Sequence, residues 1–209
     1  GPGYDKQGAN PALCFASEKF LMIERVISIQ SKAGAWGLGI VEGEKQLDPN
    51  HWYFPCHFKD DQVMAGSLMS EGCGQMAMFF MLSLGMHTQV NNARFQPMPG
   101  EPQTVRCRGQ VVPQHNTLTY RMEVTALGML PQPFLKANID IILDGKVVVD
   151  FKNLSMMICE QAPSSPYAVT LPSEVKRLVD GQGAKSSNSH IETLNEEQSR
   201  SEEHTSELQ

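Results

Sequence analysis

The sequence predicts an α+β fold in which an antiparallel sheet wraps around one long central helix, and three observations carry that prediction. Two runs rich in β-branched residues come first, and one long methionine-rich apolar run follows them. Further strand-like runs then succeed one another through short connections, which favour antiparallel neighbours. The apolar run, 67–87, would span roughly 30 Å at 1.5 Å per residue, and it is apolar on nearly all sides, so other elements must bury it.

Taken in order, "FLMIERVISIQSKAGAWGLGIVEG" holds the first two β-branched runs, split by the turn-forming "SKAGA". The segment "LDPNHWYFPCHF" reads as a loop leading into the helix. After the helix, "QTVRCRGQVV", "TLTYRMEVTAL", "PFLKANIDIIL" and "KVVVDFKNLSMMIC" show alternation or β-branched enrichment, with "PQHN" and "LDGK" as punctuation. The Asp144-Gly145 pair is a strong hairpin signal. A transmembrane reading of the helix fails, because Glu71, Gln75 and several glycines interrupt it.

At 209 residues the chain can hold one domain with tails. The Gly/Pro/Asn/Gln-rich 1–12 is expected to be a linker and 13–162 the domain, while the Pro/Ser-rich and then polar 163–199 is expected to be a second linker. The last ten residues, "RSEEHTSELQ", are expected to be an assembly artefact. One codon choice for them, AGATCGGAAGAGCACACGTCTGAACTCCAG, is a common sequencing-adapter sequence read in frame. The start "GPGYDKQGANPALCF" lacks the basic and apolar regions of a secretory signal and does not begin with Met, so an excised piece of a longer protein is expected.

A formal net charge of -6 leaves no broad basic surface for phosphates, so neither nucleic acid nor membrane insertion is expected. Five cysteines without a C-x-x-C pair fit free thiols in a reducing compartment, and a cytoplasmic location is expected. No Gly-rich phosphate loop follows a strand, so no nucleotide cofactor is expected, and His51, His87 and His115 lack metal-ligand spacing. The methionines 64, 69, 76, 78, 81 and 86 read as adaptable core or as the lining of an acyl tunnel. Cys56 and Cys73 read as small packing residues.

The chemistry concentrates in "CHFKDDQVMAGSLMSEGCGQ". His57 arrives just before the helix, Gly66 lies in the turn, and Glu71 and Gln75 are four residues apart on one helical face. Unpaired N–H groups at a helix N-terminus favour negative charge and can hold an oxyanion. A histidine base, a carboxyl acid and such a terminus suit proton abstraction beside a carbonyl with loss of a β-substituent. A lone histidine beside aromatic residues is more often structural than a base, and an acid near a helix start can simply complement the dipole. The joint arrangement is the stronger signal, since a carboxyl in an apolar helix is costly unless paired or used.

The stretch "WYFPCHFKDDQVMAGSLMSEGCGQ" resembles the signature of the FabA-like β-hydroxyacyl-ACP dehydratases, a hotdog-fold family. The runs "MAMFFMLSLGMH", "NARFQPMPGEPQTVRCRGQV" and "FLKANIDIILDGKVVVDFKNLSMMI" are similar to a dehydratase region of bacterial polyunsaturated (omega-3) fatty acid synthases. The likeness runs from about Phe15 to about Ile158. It implies a 3-hydroxyacyl-ACP dehydratase with His57 as base, Glu71 as acid, the Gly66 N–H on the thioester carbonyl, Gln75 beside the acid and the Val63 carbonyl on the other ring nitrogen of His57. It also implies no cofactor beyond the phosphopantetheine arm of an acyl carrier protein that carries the substrate. A homodimer mate or an adjacent hotdog unit would share each site, and trans-2/cis-3 isomerisation is a possible extension of the reaction. The other reading is a non-catalytic hotdog module that binds acyl chains or scaffolds a neighbour. Two departures stand out: Ala65 replaces the usual proline, and Glu71 is one methylene longer than the aspartate of the stand-alone enzyme.

Overall fold

Inward-facing residues recur every second position along the two central strands, and that alternation builds the sheet. The computed structural model describes residues 10–15 and 18–161. The expected linker 163–199, the ten-residue tail and most of the expected lead-in lie outside the described residues. Seven strands form one antiparallel sheet: β1 Arg25–Gln30, β2 Ile40–Gln46, β3 Ala93–Pro97, β4 Thr104–Cys107, β5 Thr117–Gly128, β6 Phe134–Leu143 and β7 Lys146–Glu160. Their order is β1-β2-β5-β6-β7-β3, with β4 also pairing with β7. Leu118, Tyr120, Met122 and Val124 of β5 and Leu135, Ala137, Ile139 and Ile141 of β6 are all fully buried, a period of two that leaves the other face to solvent.

The helix α2, Gly66–Ser83, packs on β7, β5, β6 and β2, so the sheet curls around it as expected of a hotdog fold. Met69, Cys73, Met76, Ala77, Phe80 and Met81 form its buried stripe. The close seating depends on Gly72, where a Cβ would lie 2.6 Å from the buried ring of Tyr120. The helix stops four residues earlier than expected, because Gly85 takes a left-handed conformation (φ 71) and a separate 3₁₀ turn, Met86–Gln89, follows.

Three further features depart from the sequence reading. The "FPCH" segment is a short helix, α1 (Phe54–His57), rather than loop. The strand β3 was not foreseen, and it pairs with the second half of β7 while β4 pairs with the first half. A bend at Asn153 (φ 57) divides β7 between the two. Finally, Asn10 already belongs to the fold. Its side chain caps the turn Pro11–Leu13 and donates to the Ala93 carbonyl at 2.7 Å, and Leu13 is buried. The hairpin at Asp144 and Gly145 forms as expected, with Leu143 paired to Lys146 and both turn residues at positive φ. None of the five cysteines is in a disulfide. No helix among the described residues is long and apolar enough to cross a membrane.

Candidate functional site

The base candidate is presented by an aromatic anchor. In "HWYFPCH" the Tyr53 and Phe54 side chains are buried, and their rings stack in series with Trp52 at centroid distances of 5.7 and 4.8 Å. This burial fixes α1 to the core and leaves its last residue, His57, exposed beside the Phe58 ring at 4.4 Å. The anchor is tied further by His51, whose Nδ1 accepts from the Asp48 N–H at 3.1 Å and from the Tyr53 hydroxyl at 2.8 Å. Burial, followed by the charge of Lys45, holds the His51 imidazole below its ordinary value, so the neutral ring that accepts both bonds is favoured. Burial pushes the Tyr53 phenol up, which keeps its O–H in place as donor.

Between His57 and α2 the chain makes a tight return. Asp61 N–H donates to the Phe58 carbonyl at 3.3 Å, and Met64 N–H to the Val111 carbonyl at 2.8 Å. Val63 is buried. Among the described residues the His57 side chain makes no hydrogen bond, so the Val63 carbonyl does not hold its ring within a single chain. Ala65 stands before the helix at φ -61 and ψ 137, a backbone that proline would also adopt. The replacement therefore leaves the turn in place.

The helix opens with its first amides unengaged. Leu68 and Met69 N–H groups both donate to the Ala65 carbonyl, and among the described residues the Gly66 and Ser67 amides have no acceptor. A Cβ on Gly66 would lie 3.1 Å from the exposed Cys107 Sγ, so a side chain there would crowd the approach to those amides from the β4 side.

Glu71 sits in the second turn of α2, among the first turns as expected, and is exposed. Its Oε1 accepts from Gln75 Nε2 at 3.0 Å, the i,i+4 pairing expected from the sequence. Gln75 itself is buried and uses every hydrogen-bonding position it has. Its other N–H donates to the Phe20 carbonyl at 2.8 Å, and its Oε1 accepts from the Met22 and Ile23 amides at 2.8 and 3.3 Å. Glu71 also lines a groove of about 300 Å³ with Ser70, Gly74, Phe151, Leu154 and Met156.

The structure thus brings Glu71, Gln75 and the helix N-terminus together, while His57 and Glu71 make no hydrogen bond or ion pair within the chain. Burial pushes the Cys73 thiol well up, as suits a packing residue, and among the described residues no cluster of His, Cys, Asp and Glu could hold a metal ion. One polar residue escaped the sequence reading. Lys45 is 4% exposed and donates to the Leu21 carbonyl and to Glu24. Its signal was available, since alternation along "IVEGEKQL" places Lys45 on the same face as Val41 and Gly43.

A family model described as the FabA-like domain matches residues 15–152. The chain is 39% identical over 180 residues to one component of the polyunsaturated fatty acid synthase of a Thraustochytrium species, a match that covers 75% of this chain and 12% of that protein. This chain therefore corresponds to a small part of that relative. Among solved structures, it is similar to a dehydratase heterocomplex, ApeI:P, from Xenorhabdus doucetiae at 13% identity, with a TM-score of 0.46 over 75% of this chain and 93% of the other. It is also similar to a hypothetical thioesterase from Streptococcus pneumoniae, crystallised with coenzyme A, at 14% identity with a TM-score of 0.45 over 67% of this chain and 90% of the other.

Proposed function

This chain belongs to the FabA-like domain family, and from that premise we propose that it is a dehydratase acting on 3-hydroxyacyl thioesters carried by an acyl carrier protein. The observation that carries the proposal is the wiring of Glu71. Gln75 donates to one carboxyl oxygen, and Glu71 lines a groove together with Ser67 and Ser70 of the first turns of the helix, which is where an acid is needed to protonate a leaving hydroxyl.

In the proposed reaction the His57 imidazole removes a C2 proton while the Gly66 N–H stabilises charge on the thioester oxygen. Glu71 delivers its proton to the 3-hydroxyl, and the C3–O bond breaks. The products are a trans-2-enoyl thioester and water, and proton return from His57 to Glu71 through solvent resets the site. His57 and Glu71 make no hydrogen bond or ion pair within one chain, which supports a complete site that pairs His57 of one hotdog unit with Glu71 of a second copy or of an adjacent unit. The partly apolar groove beside Glu71 suits the acyl chain, and the phosphopantetheine arm arrives as part of the substrate, with no resident cofactor. The same base and acid could move the double bond from trans-2 to cis-3 if the product were retained. The relative's name supports a place in polyunsaturated fatty acid synthesis, in a reducing cytoplasmic setting that suits thiols outside disulfides.

Turnover of a 3-hydroxyacyl thioester by the purified chain, followed through the enoyl product, tests this. His57→Ala should lower kcat by about 10²–10⁴-fold, the usual range for a lost general base, with an unchanged thermal transition because His57 is exposed and unbonded. Full activity in that variant would sink the assignment. Acyl-thioester binding without water release would favour the scaffold reading, which draws its support from the unbonded His57.

A further inference from the structure

Residues 21–24 have no regular secondary structure, yet four of their backbone groups are held by side chains and strands from elsewhere. The Phe20 carbonyl and the Met22 and Ile23 amides are taken by Gln75 of α2. The Leu21 carbonyl accepts from Lys45 Nζ of β2 at 3.1 Å, and Lys45 also donates to Glu24 Oε1 at 2.9 Å. The other Glu24 oxygen accepts from the Gln46 amide, and the Glu24 N–H donates to the Glu44 carbonyl. Two buried side chains, Gln75 and Lys45, therefore pin this strap between the helix and the sheet. A buried ammonium is costly to keep, and an ion pair could often be replaced by apolar packing with no loss of stability. A contribution other than stability is the more economical account of Lys45.

The geometry points to Lys45 as a positioning residue for Glu71, acting through the strap and Gln75; this rests on the dehydratase reading. A primary amide has two N–H donors and two acceptor positions. The strap and the Phe20 carbonyl just before it occupy three of the four on Gln75, and the fourth is the bond to Glu71. The direction in which Gln75 presents that last N–H is consequently set by the strap. Without Lys45, the Leu21 carbonyl and the Glu24 carboxylate lose their common donor, the strap gains freedom to move, and the amide can turn away from Glu71. A second contact gives the strap reach toward the base as well. Trp52, in the segment leading to α1, donates its indole N–H to the Lys19 carbonyl at 2.9 Å, and its ring lies 5.5 Å from that of Phe20.

A double-mutant cycle on the full chain tests the chain of contacts, using Lys45→Met, Gln75→Leu and both together. Lys45→Met keeps the apolar stem, and it should lower kcat by about tenfold with KM within about twofold, as a misplaced acid does. In the Gln75→Leu background the same change should alter kcat by less than about twofold, because the link it acts through is gone. Equal losses in both backgrounds would assign Lys45 a purely structural effect and overturn the proposal, as would wild-type kcat in Lys45→Met. If Lys45→Met does not fold, Glu24→Ala replaces it in the cycle, since Glu24 is exposed and its loss removes one Lys45 acceptor, and the same non-additivity is expected. A wild-type chain that never releases water overturns the functional reading itself, whereas an active wild type with a Lys45-insensitive kcat overturns only the positioning role.

Discussion

The segment that carries His57 and the helix that carries Glu71 are held in place by different means. Around Glu71 the restraint is polar and directional: one saturated amide, a pinned strap and a buried lysine. Around His57 the restraint is mainly apolar, with Tyr53 and Phe54 anchoring α1, and among the described residues no hydrogen bond orients the imidazole, which lies beside the Phe58 ring. Aromatic burial fixes where a short helix lies but leaves a terminal side chain to rotate, while a hydrogen-bonded amide fixes an angle. The Glu71 carboxyl, the proposed acid, is thus held by a hydrogen bond within one chain, while among the described residues no hydrogen bond holds the imidazole of His57, the proposed base.

The largest break in this comparison should come from Gln75→Leu. The substitution strands the buried Met22 amide and leaves the Ile23 amide and the Phe20 carbonyl without partners. A stability loss of about 3 kcal/mol is expected from such unsatisfied groups. Chemical denaturation measures it, and a loss under about 1 kcal/mol would mean that the strap is held mainly by apolar contacts.

A smaller effect is expected on the base side, and it depends on pH. His51 accepts two bonds through Nδ1, and its folded-state pKa is lowered from 6.5 by burial first and then by Lys45. Below 6.5 the unfolded chain binds the proton more readily than the native one, so stability is full above that value and declines as pH falls toward the folded value. His51→Leu should cost about 1–2 kcal/mol at neutral pH for its two lost bonds and should show less of the acid decline, so the two proteins converge at acidic pH. Parallel pH–stability curves would show that His51 does not hold the anchor. The groups that face it are Lys45, Asp48, Glu24 and Tyr53.

The smallest effect falls on the turn that joins the two regions. Ala65 has a backbone that proline accepts and an N–H without an acceptor among the described residues, so Ala65→Pro should stabilise the chain by about 0.4–1 kcal/mol by restricting the unfolded state. A rise in thermal midpoint with unchanged kcat would show that the turn already has its working shape; a fall would mean that the turn needs more backbone freedom than proline allows.

Much of this is legible in the sequence. Alternation predicted β5 and β6, the Asp144-Gly145 pair predicted its hairpin, and the spacing of Glu71 and Gln75 predicted their bond. These are local or periodic properties, in which each residue's partner lies a fixed number of positions away. The features that escaped were β3, the division of β7 at Asn153, the turn at Asn10 and the burial of Lys45. Each depends on partners far along the chain. Ala93–Pro97 is a strand because Met156–Glu160 lies beside it, and Lys45 is buried because residues 21–24 close over it.

The sequence by itself determined the α+β class, the long buried helix and the identity of the acid–amide pair, because periodicity and i,i+4 geometry act over a few residues. Only the tertiary structure decided that Gln75 is saturated, that Phe20, Met22 and Ile23 take three of its four positions, and that His57 and Glu71 make no hydrogen bond or ion pair within one chain. Those facts arise where segments distant in sequence compete for the same donors and acceptors, and no local pattern records the outcome of that competition.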